Sequence, residues 1–360
     1  MLALEEIVHA LGAGFPPLRA RPLFVHRALA VEPDAAGPDG ATPVFVVPDL
    51  HVLSEERARG YGDFFHLNAA REKALVAFLR RLLELRDDPA DRAFAALAVF
   101  QLGDLHDLWR EAEHWWRHEE LAAMLERQRA SHGALFALLG ELRAVRLVGN
   151  HDDRLRDRGA AAALAGTAVE ADLPLSRLVP DVASLPWGAH SRVDFLHADQ
   201  IDPVETGPFR GVNHIGARLA AHGGPIDLGE VDEWRWELLP PGTPDPDAAP
   251  APLPEAVIDF DAPLADARRD KAMRVRFFAE SEAYARRRCG ANAGLACAAV
   301  FVGHTHAPRI VVRRGAAGHA LADCGSWLNR GLDAARGAPF WNGQVGVLSG
   351  AQVAVLQVDL

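Results

Sequence analysis

Cysteine is scarce in this chain, and its scarcity excludes two architectures. Cys289, Cys297 and Cys324 are the only three in 360 residues, an odd number with no CxxC spacing. Neither a disulfide framework nor a thiolate zinc site is expected, and a reducing compartment suits the composition. The three read as small buried hydrophobes. Positive charge is also in deficit. A formal net charge of -11 and a pI near 5.8 oppose broad electrostatic binding to nucleic acid or to anionic membrane. No uninterrupted apolar run reaches the roughly 18 residues that mark a membrane span, and Glu5 and Glu6 stand where a secretory leader would be basic. A cytoplasmic protein without a transmembrane segment is expected; its oligomeric state is not legible.

Apolar residues, by contrast, are plentiful. A hydrophobic content of 49% over 360 residues is enough for one large domain carrying an insertion. The run Val44–Val47 reads as a buried strand, a helical pattern follows from about Asn68 to Arg86, and Phe94–Leu102 reads as a second strand. Trp109 to about Leu142 is charged and helical, and Val145–Val148 is a third strand. This alternation predicts an α/β fold with a largely parallel inner sheet. Further strands are expected at Val193–Leu196, Ala298–Val302, Ile310–Arg313 and His319–Ala322. Val345–Leu348 and Val353–Val358 form a closing pair turned at Ser349-Gly350, and a second sheet packed on the first is expected from this strand-rich end.

Residues 1–42 read as an N-terminal extension. Residues 43–201 and 295–360 form the main domain, and 202–294 are an insertion. Seven prolines from Pro240 to Pro254 forbid regular helix or central strand there, whereas about Asp266 to Arg288 is an arginine-rich helical segment. The insertion is either a cap over the site or a surface excursion.

Polar residues of metal-ligand type follow the apolar runs. Asp49-Leu50-His51 follows the first, Gly103-Asp104-Leu105-His106-Asp107 the second and Gly149-Asn150-His151-Asp152 the third; Gly303-His304-Thr305-His306 follows a later one. Carboxyl ends of strands are where α/β folds build their sites, and residues two apart on extended chain point the same way. Two divalent ions about 3.5–4 Å apart need a bridging carboxylate and a mixture of oxygen and imidazole ligands. Asp104 is the candidate bridge. Asp49, His51 and His306 would complete one ion, and Asn150, His304 and one further imidazole the other. His197, which ends the run Val193–Leu196, fits better than His190, His214 or His222.

Two such ions outweigh the charges of Asp49, Asp104 and a metal-bound hydroxide, so the centre stays positive and attracts phosphate. His151, beside Asn150 but assigned to no metal, is placed to give a proton to a leaving oxygen, and Asp107 is placed to orient it. The expected catalytic residues are therefore His151 and Asp107.

In order and in strand-end context, Asp49-x-His51, Gly103-Asp104-x-x-Asp107, Gly149-Asn150-His151-Asp152, His197 and Gly303-His304-x-His306 resemble the motifs of the calcineurin-like metallophosphoesterase superfamily, over about residues 44–310. The resemblance implies a four-layer α/β/β/α sandwich with an inserted cap region, two divalent ions (manganese, iron or zinc), and hydrolysis of phosphomonoesters, phosphodiesters or pyrophosphates. The same split of ligands agrees with the family pattern. Asp107-Leu108-Trp109 and Asn150-His151-Asp152 depart from the Asp-Arg-Gly and Asn-His-Glu of its protein phosphatases. The Gly-Asp-Leu-His-Asp-Leu-Trp segment is similar to bacterial sugar-nucleotide pyrophosphatases such as UDP-2,3-diacylglucosamine hydrolases, which usually carry arginine where His151 stands and are shorter. The expected substrate is a phosphorylated small molecule cleaved by metal-bound hydroxide; the alternatives are a sugar-nucleotide pyrophosphatase or a non-catalytic scaffold of the same fold.

Other polar residues have plainer readings. Asp152 or Asp153 reads as a helix N-cap, and His106 as a pocket-lining, supporting or surface residue. His114 and His118 lack a third ligand. Trp109, Trp115 and Trp116 read as packing residues, with Trp109 near enough to the second motif to touch substrate. Arg210 and the arginines of 268–288 read as a solvated charge run. Asp323-Cys324-Gly325-Ser326-Trp327 resembles a glycine-serine-tryptophan stretch that follows the last motif in many members of the superfamily, which implies a turn packed near the site.

Overall fold

A computed structural model describes residues 2–14, 17–27, 29, 42–61, 66–112, 121–157, 159–201, 257–259, 269–306, 308–313, 319–328 and 343–360. Within them the chain is a mixed α/β protein with two mixed sheets. The first sheet contains β1 (Arg19–His26), β2 (Val44–Val47), β3 (Ala98–Gln101), β4 (Val145–Leu147), β5 (Leu178–Val179), β12 (Gln344–Ser349) and β13 (Gln352–Asp359). Their order is β1-β13-β12-β2-β3-β4-β5. β2, β3, β4 and β5 run parallel, so Asp49, Asp104 and Asn150 all emerge at one edge.

The second sheet has the order β6-β7-β9-β11-β10-β8, built from β6 (Val182–Pro186), β7 (Ser191–Leu196), β8 (Val257–Asp259), β9 (Ala296–Val302), β10 (Arg309–Arg313) and β11 (His319–Asp323). β7, β9 and β11 are parallel, which brings the residues after β7 and β9, His197 and His304, to one edge as well.

Alternation along β2 explains how the sheets and helices meet. Phe45 and Val47 point into one apolar cluster with α1 (Leu4–Gly12), α3 (Ala69–Asp87) and α5 (Leu121–Glu141), while Val44 and Val46 point into another shared by both sheets. Phe45 meets Phe78 of α3 edge-on, with ring centroids 6.0 Å apart. On the other side Phe100 of β3 stacks on Phe195 of β7 at 3.8 Å. α3 begins where the sequence places it, because the Asn68 side chain accepts the Arg71 backbone N–H at 3.0 Å. α8 (Arg269–Arg288) contacts β7, β9 and β10.

Several elements differ from expectation. The apolar run from Phe94 begins as a turn, with the Phe94 N–H bonded to Asp91 O and Leu97 N–H to Phe94 O. Only Ala98–Gln101 is strand; Phe94 and Leu97 are buried from a turn rather than from a sheet. The helical stretch from Trp109 divides into α4 (Leu108–Glu111) and α5, and α5 kinks at His132 (φ -125, ψ 30). α2 (Glu55–Tyr61), α6 (Ala160–Leu164) and α7 (Ala168–Asp172) are short. Within residues 1–42, Leu4, Ile7 and Leu11 are buried and β1 pairs antiparallel with β13. Most of 202–294 lies outside the described residues, and β8 from it pairs parallel with β10. No described helix is long and apolar enough to cross a membrane.

Candidate metal centre

Tight loops at the strand ends set the centre. His51 (φ 45), Asp104 (φ 49), His304 (φ 69) and His306 (φ 54) all occupy the left-handed region, a conformation that costs non-glycine residues energy and persists where surroundings impose it. The Asp104 carbonyl accepts the N–H groups of Leu50 at 3.0 Å and His51 at 2.8 Å, locking the first two loops together. Glycine supplies the room. A Cβ on Gly149 would collide with Asp104 Oδ1, and one on Gly303 with Asp49 Oδ1.

The side chains form two neighbouring groups, with a third, of His51, Asp107 and His151, adjoining them through His51. Asp49, His51 and His306 present atoms within 4.8 Å of one another, as do Asp104, His197 and His304. Asp49 Oδ2 lies 2.9 Å from His306 Nε2. Asp104 Oδ2 is 3.4 Å from His51 Nε2 and 3.2 Å from His197 Nε2, so this carboxylate reaches both groups. Asn150 Oδ1 is 3.0 Å from His197 Nε2. His197 Nδ1 faces the Leu102 carbonyl at 3.0 Å, which fixes the ring with Nε2 toward the cluster. All seven expected metal ligands, Asp49, His51, Asp104, Asn150, His197, His304 and His306, are thus in one buried cluster.

Electrostatics show how the charges of the cluster are balanced. Burial alone would lower the His197 pKa, yet Asp104 and Asp49 outweigh it and push it up to about 10. Burial would likewise raise Asp104, but the imidazoles of His197 and His151 hold it well below the ordinary carboxylate range. Asp49 goes the other way, since burial raises it to about 6 against the pull of His197, and nearby positive charge favours the ionised form of both carboxylates. Asp49 Oδ1 makes no hydrogen bond among the described residues. Carboxylate, amide and imidazole donors are the set that hard and borderline divalent ions take, so the cluster fits metal ions.

Behind the ligands sits a positioning group. Asp107 caps α4 by accepting the Arg110 N–H at 3.1 Å, and its other oxygen takes the Arg110 guanidinium at 2.6 Å from Nε. The same carboxylate lies 3.2 Å from His51 Nδ1 and 3.2 Å from His151 Nδ1. The His151 ring stacks on Trp109, with centroids 4.0 Å apart. Burial would lower the His151 pKa, but Asp107 and then Asp104 outweigh it, raising it to about 9. The His151 Nδ1 is thus turned to Asp107, whose charge favours the protonated ring.

Two plain readings need correction. Asp152 makes no side-chain cap on the short 3-10 helix Asp153–Arg156. Its carboxylate instead accepts the Gly149 N–H at 2.6 Å and the Leu105 N–H at 3.1 Å, clasping the second and third loops. His106 is not a surface residue; it is buried on Gln128 Oε1 at 2.6 Å and against Phe136. His190 is exposed and outside the cluster, and the three cysteines are free and buried. His114, His118, Trp115, Trp116, Arg210, His214 and His222 lie outside the described residues. Sequence reading missed Arg110, whose signal was its position three residues after Asp107 at a helix start.

No protein-family model matches the chain, and no curated protein matches it.

Proposed function

We propose that this protein is a dinuclear metal-dependent phosphoesterase of the calcineurin-like metallophosphoesterase type. The observation that carries the reading is the meeting of Asp49, His51 and His306 beside Asp104, His197 and His304, drawn from loops up to 257 positions apart. Asp49, His51 and His306 would hold one ion and Asn150, His197 and His304 the other, with Asp104 between them. When bound, two divalent ions supply a water of lowered pKa and positive charge to offset that of a phosphoryl group; manganese, iron and zinc all suit the donors. Two mixed sheets with helices on either side fit the four-layer α/β/β/α sandwich of that family, and the insertion is read as its cap. The setting is read as cytoplasmic.

The chain's own groups account for the remaining chemistry. His151 carries the proton for a departing oxygen, since Asp107 occupies its Nδ1 side and leaves Nε2 for substrate. Arg110 keeps Asp107 ionised and fixed. Trp109 holds the imidazole plane against rotation. The Gly103–Trp109 segment favours a second reading, a sugar-nucleotide pyrophosphatase, on the same centre.

Metal analysis of chelator-free protein, followed by assays with p-nitrophenyl phosphate, bis(p-nitrophenyl) phosphate and UDP-sugars, tests the proposal. Metal content near two ions with hydrolysis of the nitrophenyl esters supports it, and cleavage confined to UDP-sugars selects the second reading. A chain that never takes up metal favours a non-catalytic scaffold and defeats both.

A further inference from the structure

The loop that carries His304 and His306 is bent at both residues, each in the left-handed region, and the Thr305 N–H turns back to the Gly303 carbonyl at 2.8 Å. Such a bend opens unless something holds it. The Thr305 hydroxyl donates to the buried carboxylate of Asp323 at the end of β11. Arg309, the first residue of β10 and the direct cross-strand partner of Asp323, places Nη2 3.0 Å from the same carboxylate. Asp323 Oδ1 also accepts the Gly325 N–H at 3.3 Å, and the next residue, Ser326, forms a bridge with Asp49. The Trp327 N–H completes this contact by donating to the Asp49 carbonyl at 3.0 Å.

One carboxylate therefore ties the middle of the His304–His306 loop to the strand that follows it and to the turn that supports Asp49. We infer that Asp323, fixed by Arg309, is a positioning residue that acts through Thr305 to set His304 and His306, one ligand of each ion. This inference rests on the metal-centre reading and adds a determinant of metal affinity that touches no metal. A charge-assisted hydrogen bond to an ionised acceptor is roughly twice as strong as a neutral one, and groups that orient ligands are worth about 10–100-fold in metal affinity.

The test titrates Mn²⁺ into chelator-treated full-length protein by calorimetry and records the melting temperature of the metal-free form. Wild type and Thr305→Ser are expected to bind alike. Thr305→Val and Asp323→Asn are expected to bind about 10-fold or more weakly, with the metal-free melting temperature of Thr305→Val close to wild type and that of Asp323→Asn lowered, because the buried Arg309 guanidinium loses its charge partner. Wild-type affinity in Thr305→Val overturns the inference, and so does an equal loss in Thr305→Ser. Should Thr305→Val not fold, undiminished affinity in Asp323→Asn overturns it, and weakened affinity there sustains it. A wild type that binds no Mn²⁺ overturns the metal-centre reading and this inference together.

Discussion

Asp104 Oδ1 accepts the backbone N–H of His151 at 2.9 Å, so the carboxylate in the middle of the Asp/His cluster also fixes the residue proposed for proton transfer. Its two oxygens thereby divide the work, since Oδ2 faces His51 and His197.

Asp104→Asn keeps an oxygen for the His151 N–H but removes a buried negative charge from both ligand groups. Loss of bound metal and of turnover is expected, and His304→Ala should behave the same way. Plasma emission analysis with a p-nitrophenyl ester assay reads both. Full activity in Asp104→Asn would refute its place as the bridge. Wild type should also melt higher with metal than after chelation, by an amount that grows with free metal, reaching about 2.7 kcal/mol of stabilisation at 100 times Kd.

His151→Ala should separate the two properties. The ring bonds no ligand side chain through Nδ1, which faces Asp107, so metal content should stay at the wild-type value. Turnover should fall about 10²–10⁴-fold, the usual worth of a general acid. Metal loss in this variant would move His151 into the ligand set.

Gly149→Ala tests the packing of the cluster. The added methyl would overlap Asp104 Oδ1, and Asp104 is pinned from three sides. Overpacking of this kind costs about 1–3 kcal/mol, and metal affinity should drop with stability. A melting curve and metal affinity indistinguishable from wild type would show that the second and third loops are less tightly set.

The pH dependence of stability should carry a signature of His132 and Glu72. At the kink of α5, His132 Nδ1 lies 2.9 Å from Glu72 Oε1 and Nε2 meets the Leu53 carbonyl at 2.6 Å. Burial would lower its pKa, but the Glu72 hydrogen bond and charge outweigh it and leave it raised. A raised folded-state value means that the contribution is complete below the unfolded pKa of about 6.5 and is lost as pH climbs through the folded value. In metal-free protein, the urea midpoint of Glu72→Gln should therefore lie furthest below wild type near pH 6 and converge with it at alkaline pH. A gap that widens with pH would contradict the pairing.

Much of the Asp/His cluster was legible because its residues stand in short local patterns. Val44–Val47 followed by Asp49, and Val193–Leu196 followed by His197, show strand and ligand within a few residues, and the structure has β2 and β7 there. What the sequence hides is long-range. Asp152 binds N–H groups at Gly149 and Leu105, and no local pattern announces an acceptor for a donor 47 positions away. β1 was missed because Arg19, Arg21 and Pro22 break its alternation, as an edge strand permits. Phe94 misled in the opposite direction, because a buried aromatic in a turn looks the same as one in a strand.

The cluster draws Asp49, Asp104 and Asn150 from the first sheet and His197 and His304 from the second. Between those sheets lies mostly apolar packing, such as Phe100 on Phe195, which has little directional preference of its own. Cations bound across that seam would act as a rivet. Shear of one layer over the other by even an ångström would then disperse those side chains, so the proposed chemistry would depend on how firmly the two layers are held.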